Sequence, residues 1–204
     1  MGIGDDIKSV FDDLGTQFTV LVGENAGSSE YFVYDLNRQV TKPFIREYFI
    51  EAELAYDTVA NAGDVIQFDD GRPFMIVNKT PDQFENTAIA QACVFYKCNV
   101  SGEVRRFTPS RSSQTHHKTR GSGEVVAATC YGLLTESLFG HELETDEEIG
   151  QLGLERHEFY VPESYGVQIH DRIEMVSGEF LKVETIKKRR YAGVHVCDVG
   201  EDTR

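Results

Sequence analysis

Two hydrophobic periods divide this chain. Over residues 3–14, Ile3, Ile7, Val10, Phe11 and Leu14 recur at the spacing of one helix face. Asp5 and Asp6 suit the positive N-terminal end of such a helix, and Gly15 is a good C-terminal stop. After Gly15 the period falls to two. Phe18, Val20 and Val22 alternate with Gln17, Thr19 and Leu21, and Glu30–Asp35, Phe44–Leu54 and Ala92–Val100 are further strand candidates. Asp64–Phe68 and Phe74–Val77 flank Asp69-Asp70-Gly71, the turn chemistry of a hairpin. Beyond a break at 104–123, strands resume at Glu158–Val161, Gly166–Met175, Phe180–Thr185 and Val194–Val199. Short strands separated by turns predict a mainly β fold of two small barrel-like domains. The expected division is an N-terminal helix over 1–14, a first barrel over 15–107, a flexible basic loop or linker over 108–123, and a second barrel over 124–204.

The two halves echo each other. Asp64-Val65-Ile66 with Gly71 matches Asp171-Arg172-Ile173 with Gly178, at the same spacing and with glycine at the hairpin turn. Phe74–Val77 then corresponds to Phe180–Val183 after a one-residue adjustment, and Cys98-Asn99-Val100 to Cys197-Asp198-Val199. A duplicated domain accounts for this pattern. So do two unrelated hairpins that share Asp, Gly and alternating apolar positions.

Charge adds a second layer. The net charge is −14, which disfavours general adhesion to nucleic acid or anionic membrane. The distribution is uneven. Residues 104–123 carry Arg105, Arg106, Arg111, Lys118 and Arg120 with no acid, whereas Gly121–Glu155 holds eight acids and, His141 aside, no basic side chain. Thr145-Asp146-Glu147-Glu148 has the form of a capping box and predicts a short helix there. Lys187-Lys188-Arg189-Arg190 is a second basic run, read as a solvated hairpin tip. No apolar run approaches the roughly 18 residues of a membrane helix, and the acidic N-terminus lacks the basic region of a secretory signal. The expected place of synthesis is therefore the cytoplasm, where Cys93, Cys98, Cys130 and Cys197 stay free thiols.

Catalytic signatures are missing from the sequence: no nucleophile elbow, HExxH, P-loop or dinucleotide fingerprint. His116-His117 invites a metal reading, but adjacent residues of an extended segment point opposite ways and the surrounding loop has no acid. Glu142–Glu148 lacks the glycine-centred calcium loop. The expectation is a non-enzymatic protein with no cofactor and no metal.

From Cys130 onward the order of motifs resembles the head-closure, or stopper, proteins of tailed bacteriophages. The residues that carry the likeness are Cys130-Tyr131, Tyr160-Val161-Pro162, Val167-Gln168-Ile169, Asp171-Arg172-Ile173, Gly178-Glu179-Phe180, Tyr191-Ala192-Gly193, the strand Val194–Val199, and the tail Glu201-Asp202-Thr203-Arg204. Together they cover residues 124–204, with His170 where that family usually has Gly and Ala192 where Pro is frequent. The resemblance implies a virion structural protein in the phage neck. Copies, six or twelve of them, would form a ring between portal and tail, joining head to tail and helping to retain packaged DNA. Implied partners are neighbouring copies, a portal or adaptor ring, a tail-completion protein and DNA in the channel, with no membrane. Residues expected at such contacts are Arg105, Arg106, Arg111, His116, His117, Lys118, Arg120, Lys187, Lys188, Arg189, Arg190, Asp202 and Arg204. Two other readings stand beside this one: a barrel-type nucleic-acid-binding module, and a tail-side adaptor or terminator.

Overall fold

A computed structural model describes residues 3–34, 48–107, 110–111, 118–119, 124–135, 157–176 and 178–202. Helix α1 (Ile3–Leu14) precedes β1 (Thr16–Val22), β2 (Ser29–Tyr34), β3 (Phe49–Ala55), β4 (Val65–Phe68), β5 (Pro73–Phe84) and β6 (Thr87–Lys97). These strands close an antiparallel barrel in the order β1-β2-β3-β6-β5-β4. The chain continues through β7 (Val100–Phe107), β8 (Ser110–Arg111), β9 (Lys118–Thr119), β10 (Glu124–Thr135), β11 (His157–Pro162), β12 (Arg172–Val176), β13 (Glu179–Tyr191) and β14 (Val194–Glu201). A second closed barrel runs β10-β11-β14-β13-β12-β7, while β8 and β9 pair with each other. The fold is mainly β, with two barrels and one short N-terminal helix, as the alternation predicts.

The passage between barrels lies elsewhere than the sequence reading placed it. Strand β7, assigned there to the first unit, pairs with β10 and β12 of the second. Only Cys98 and Asn99 separate β6 from β7. The basic segment is thus not an interdomain linker but the connection from β7 to β10. Likewise Gly166–Met175 is not one strand: a 3-10 turn at Glu163–Tyr165 and a turn ending at Asp171 precede β12. The capping box at 145–148 falls outside the described residues.

Replacing β1–β6 by β7, β10, β11, β12, β13 and β14 reproduces the strand order of the first barrel in the second. Register repeats as well. Val65, Ile66 and Gln67 pair with Met75, Phe74 and Pro73; at one constant offset, Arg172, Ile173 and Glu174 pair with Lys182, Leu181 and Phe180. No one-residue adjustment is needed, so Phe74 corresponds to Leu181. In the last strand Ala52 pairs with Cys93 and Phe159 with Cys197, which makes Cys93, not Cys98, the counterpart of Cys197.

The turn before β4 and β12 is the closest match. The Asp64 carboxylate accepts the Asn61 N–H at 2.7 Å, and the Asp171 carboxylate accepts the Gln168 N–H at 2.8 Å. Both carbonyls then receive a strand amide at 2.9 Å, from Ile76 and Val183 respectively. The residue before each aspartate is left-handed, Gly63 at φ 92° and His170 at φ 74°. His170, where glycine was the expected residue, therefore holds a conformation that costs a side-chain-bearing residue about 1–2 kcal/mol.

Three cores hold the body together. The first barrel is filled by phenylalanines, with Phe68 stacked on Phe74 at 4.3 Å and on Phe32 at 4.9 Å. Such ring pairs add about 0.5–1.5 kcal/mol beyond area burial. The second is filled by smaller side chains around Phe159. An aromatic has changed strands between them. Where β2 supplies Phe32 beside Ala52 in the first barrel, β10 has Gly132 and β11 supplies Phe159. A methyl group on Gly132 would lie 2.5 Å from the Phe159 ring. The third core is the junction of the barrels, where Val65, Met75, Val77 and Cys98 meet Leu133, Tyr160, Val194 and Val196. Tyr96 packs edge-on against Tyr160 at 5.6 Å and Tyr191 at 6.3 Å. Backbones touch as well: a methyl group on Gly63 would sit 2.3 Å from the Gly193 carbonyl oxygen, and one on Gly193 2.1 Å from that of Ala62. Such apolar contact, with backbones in van der Waals reach, fixes the barrels relative to each other.

Candidate interaction surface

Strands β7 and β10 outgrow their barrel. Val104, Cys130 and Leu133 are fully buried, whereas Phe107, Val125 and Val126 at the far end are 43–55% exposed. Phe107 pairs with Glu124, Arg106 with Val125 and Arg105 with Val126. Strand β12 accompanies β7 only as far as Arg105. Past that point only two further pairs, Arg106 with Val125 and Phe107 with Glu124, extend the strands as a short arm. Ser110 pairs with Thr119 and Arg111 with Lys118 in a separate two-stranded ladder.

Four of the basic residues expected to meet partners, Arg105, Arg106, Lys187 and Arg190, are paired within the fold. Arg106 grips Asp171 with two hydrogen bonds, at 2.9 and 2.7 Å, and donates to the Gly166 carbonyl at 2.8 Å. The Asp171 hydrogen bond raises the Arg106 pKa. Asp171 itself is only 3% exposed. Arg105 pairs with Glu103 at 3.2 Å and with Glu174. Beside it Arg172 lies over the Phe180 ring at 4.1 Å and pairs with Glu124 at 2.9 Å and Asp202 at 2.6 Å. This charged belt ties β7, β10 and β12 together.

The basic run on β13 is divided in the same way. Lys187 reaches Glu158 at 3.0 Å and Asp198 at 2.6 Å, and Arg190 reaches Glu158 at 3.2 Å. Burial pulls the Lys187 pKa down, but hydrogen bonds to Asp198 and Glu158 outweigh it and leave the ammonium above its ordinary value. Glu158, 2% exposed, also accepts the Tyr160 hydroxyl at 2.8 Å. Lys188 and Arg189 are exposed. The run is therefore half an internal clamp and half a solvated tip. His116, His117, Arg120 and Arg204 lie outside the described residues.

Sequence reasoning missed Glu158, a buried acid that gathers two cations, because its neighbours in His157-Glu158-Phe159-Tyr160-Val161 simply continue strand alternation. It also missed the exposure of Phe107, Val125 and Val126 on the arm. Valines beside a loop look like any strand end; nothing local says that the barrel stops short of them.

Among the described residues, no three His, Cys, Asp or Glu side chains gather as a metal site requires. A depression of about 350 Å³ beside β3 and β5 is lined by Glu51, Glu53, Asn78, Thr80 and Cys93 among others. The Cys93 thiol is pushed up to about 12 by burial and donates to the Ala52 carbonyl at 3.3 Å, which makes it a poor nucleophile. No known family profile, curated protein or solved structure matches this chain.

Proposed function

We propose that this protein is a structural, non-catalytic component of a tailed-phage neck, forming a ring between portal and tail that joins head to tail and helps to retain packaged DNA. The observation that carries this reading is the union of a rigid two-barrel body with a projecting arm. Closed barrels have few open edges to pair promiscuously. The locked junction makes the pair one building block, and β7–β10 extends past β12 as a short arm on which Phe107, Val125 and Val126 are exposed. A ring of this kind is a head-to-tail assembly closed by rotation, which needs two different surfaces on each copy.

The residues behind the family resemblance support the same reading. Tyr160-Val161-Pro162 lies on β11, Asp171-Arg172-Ile173 opens β12, Gly178 turns into β13, and Tyr191-Ala192-Gly193 turns into β14. All belong to one closed barrel. The nucleic-acid-binding alternative finds less support, since Arg105, Arg106, Lys187 and Arg190 are committed to carboxylates of the same chain.

The test is electron microscopy of particles assembled with the gene deleted. Separate tails beside empty or DNA-leaking heads are expected. Normal, infectious tailed particles would overturn the proposal.

A further inference from the structure

The barrel repeat places one carboxylate in two different settings. Glu51 pairs with Val94 and Glu158 with Asp198, each one step from the matched pairs Ala52–Cys93 and Phe159–Cys197. Glu51 is therefore the first barrel's counterpart of Glu158. In the second barrel Glu158 holds Lys187 at 3.0 Å and Arg190 at 3.2 Å, and Lys187 crosses β14 to reach Asp198 as well. In the first barrel Thr80 pairs with Ala92 as Lys187 pairs with Val196. Thr80 thus stands where Lys187 stands, and Gln83, at the same offset, where Arg190 does. The carboxylate is kept while both cations are replaced by neutral side chains.

At that place the first barrel has the depression of about 350 Å³, lined by Glu51 and Glu53 of β3, Ala92 and Val94 of β6, and Asn78 and Thr80 of β5. Its second carboxylate comes from Glu53, where the other barrel uses Asp198. Ala92 and Val94, on the strand between the two walls, suit the aliphatic stem of a lysine or arginine, whose charged head then meets a carboxylate. No ion pair among the described residues engages Glu51. Lys79, beside Thr80 in sequence, is committed to the Ala60 carbonyl at 2.7 Å. No three-ligand metal cluster forms there among the described residues. We infer that this groove receives a lysine or arginine side chain from a partner chain, in the place that Lys187 fills within the second barrel. The repeat itself supplies the precedent: the same carboxylate on the same strand, and a cation that reaches it across the same neighbour. The inference goes beyond the neck reading, since it names what the first barrel binds and not where the protein sits in a particle.

Amide-resolved NMR titration of the full chain with the peptide acetyl-Gly-Lys-Arg-Gly-amide tests this. Shifts centred on Glu51, Ala92 and Val94 are expected, and none from a peptide with norleucine and citrulline in place of lysine and arginine. Glu51→Gln should weaken binding about fivefold or more, the loss of one charge-assisted hydrogen bond. Thr80→Lys should supply the missing cation from within, raise Tm and abolish the peptide response. An equal response to the neutral peptide, shifts away from the groove, undiminished binding by Thr80→Lys, or no response at millimolar peptide would each overturn the site. So would the same shifts from magnesium chloride, which would make the groove a site for inorganic cations. None of these outcomes alters the deletion phenotype, so failure of the site is distinguishable from failure of the neck reading.

Discussion

The two aspartate turns are the same turn in different electrostatic settings, and that contrast gives a quantitative prediction. Asp171, only 3% exposed, accepts two hydrogen bonds from Arg106 and a third from the Gln168 amide. Replacing Arg106 with Met keeps much of the aliphatic stem but leaves a buried carboxylate facing no cation. Breaking a fully buried pair costs about 3–5 kcal/mol. Arg106 is 32% exposed, so water recovers part of that, and about 3 kcal/mol is expected. In a protein of this size the loss lowers Tm by roughly 6–12 °C. Adding Asp171→Asn to Arg106→Met should recover most of it, because the cost lies in the unpaired charge rather than in lost packing. At the matching turn, Asp64 has the Asn61 amide but no arginine, and burial raises its pKa. Asp64→Asn should therefore be neutral or slightly stabilising at pH 7. Thermal melts followed by circular dichroism, with the Arg106/Asp171 double-mutant cycle, decide the matter. A loss below about 0.5 kcal/mol for Arg106→Met, the range of an exposed pair, would refute the reasoning. So would equal losses for Asp64→Asn and Asp171→Asn.

Three further outcomes follow from the same geometry. His170→Gly should raise stability by about 1 kcal/mol by relieving a left-handed side-chain residue, read as a higher midpoint in urea; a lower midpoint would mean that the imidazole contributes more than the strain costs. Gly132→Ala should destabilise by about 1–3 kcal/mol by pressing on the Phe159 ring, and Phe159→Leu in the same chain should return part of that in thermal melts. His195 is buried, its pKa lies below the ordinary 6.5 chiefly through burial, and its Nδ1 has no hydrogen-bond partner. Below about pH 6.5 the unfolded chain takes up the proton first, so the contribution of His195 is a loss of stability as pH falls toward the folded value. Substitution by Gln, the residue at the matching position (Gln91), should flatten the urea-midpoint profile as pH falls below about 6.5 relative to the native chain.

How far the sequence revealed this arrangement depends on whether the cause was local. Alternation around Phe18 and Val20 and the Asp-Asp-Gly turn gave the strands of the first barrel, because strand faces and turns are set by neighbours in sequence. The repeat was legible at Asp64 and Asp171 for the same reason. It blurred where the hairpins differ in length, which is why Cys98 was matched to Cys197 in place of Cys93. The Phe74–Val77 run carried an unused signal: four consecutive apolar residues mean that both faces of a strand are buried, Phe74 and Ile76 in the barrel, Met75 and Val77 in the junction. The fate of Arg106, Lys187 and Arg190 was hidden, since their acidic partners, Asp171, Glu158 and Asp198, are brought to them by the fold and not by nearby sequence. Helix α1 was predicted with its full apolar face, but which part of that face the barrel covers is a tertiary fact.

The central claim is that copies of this two-barrel chain encircle the channel between head and tail. A cryo-electron microscopy reconstruction of the head–tail junction in intact particles tests it most directly. The account predicts a ring at that level into which the two barrels fit as one rigid unit. A junction filled entirely by other chains, with no ring of two-barrel units, would contradict it.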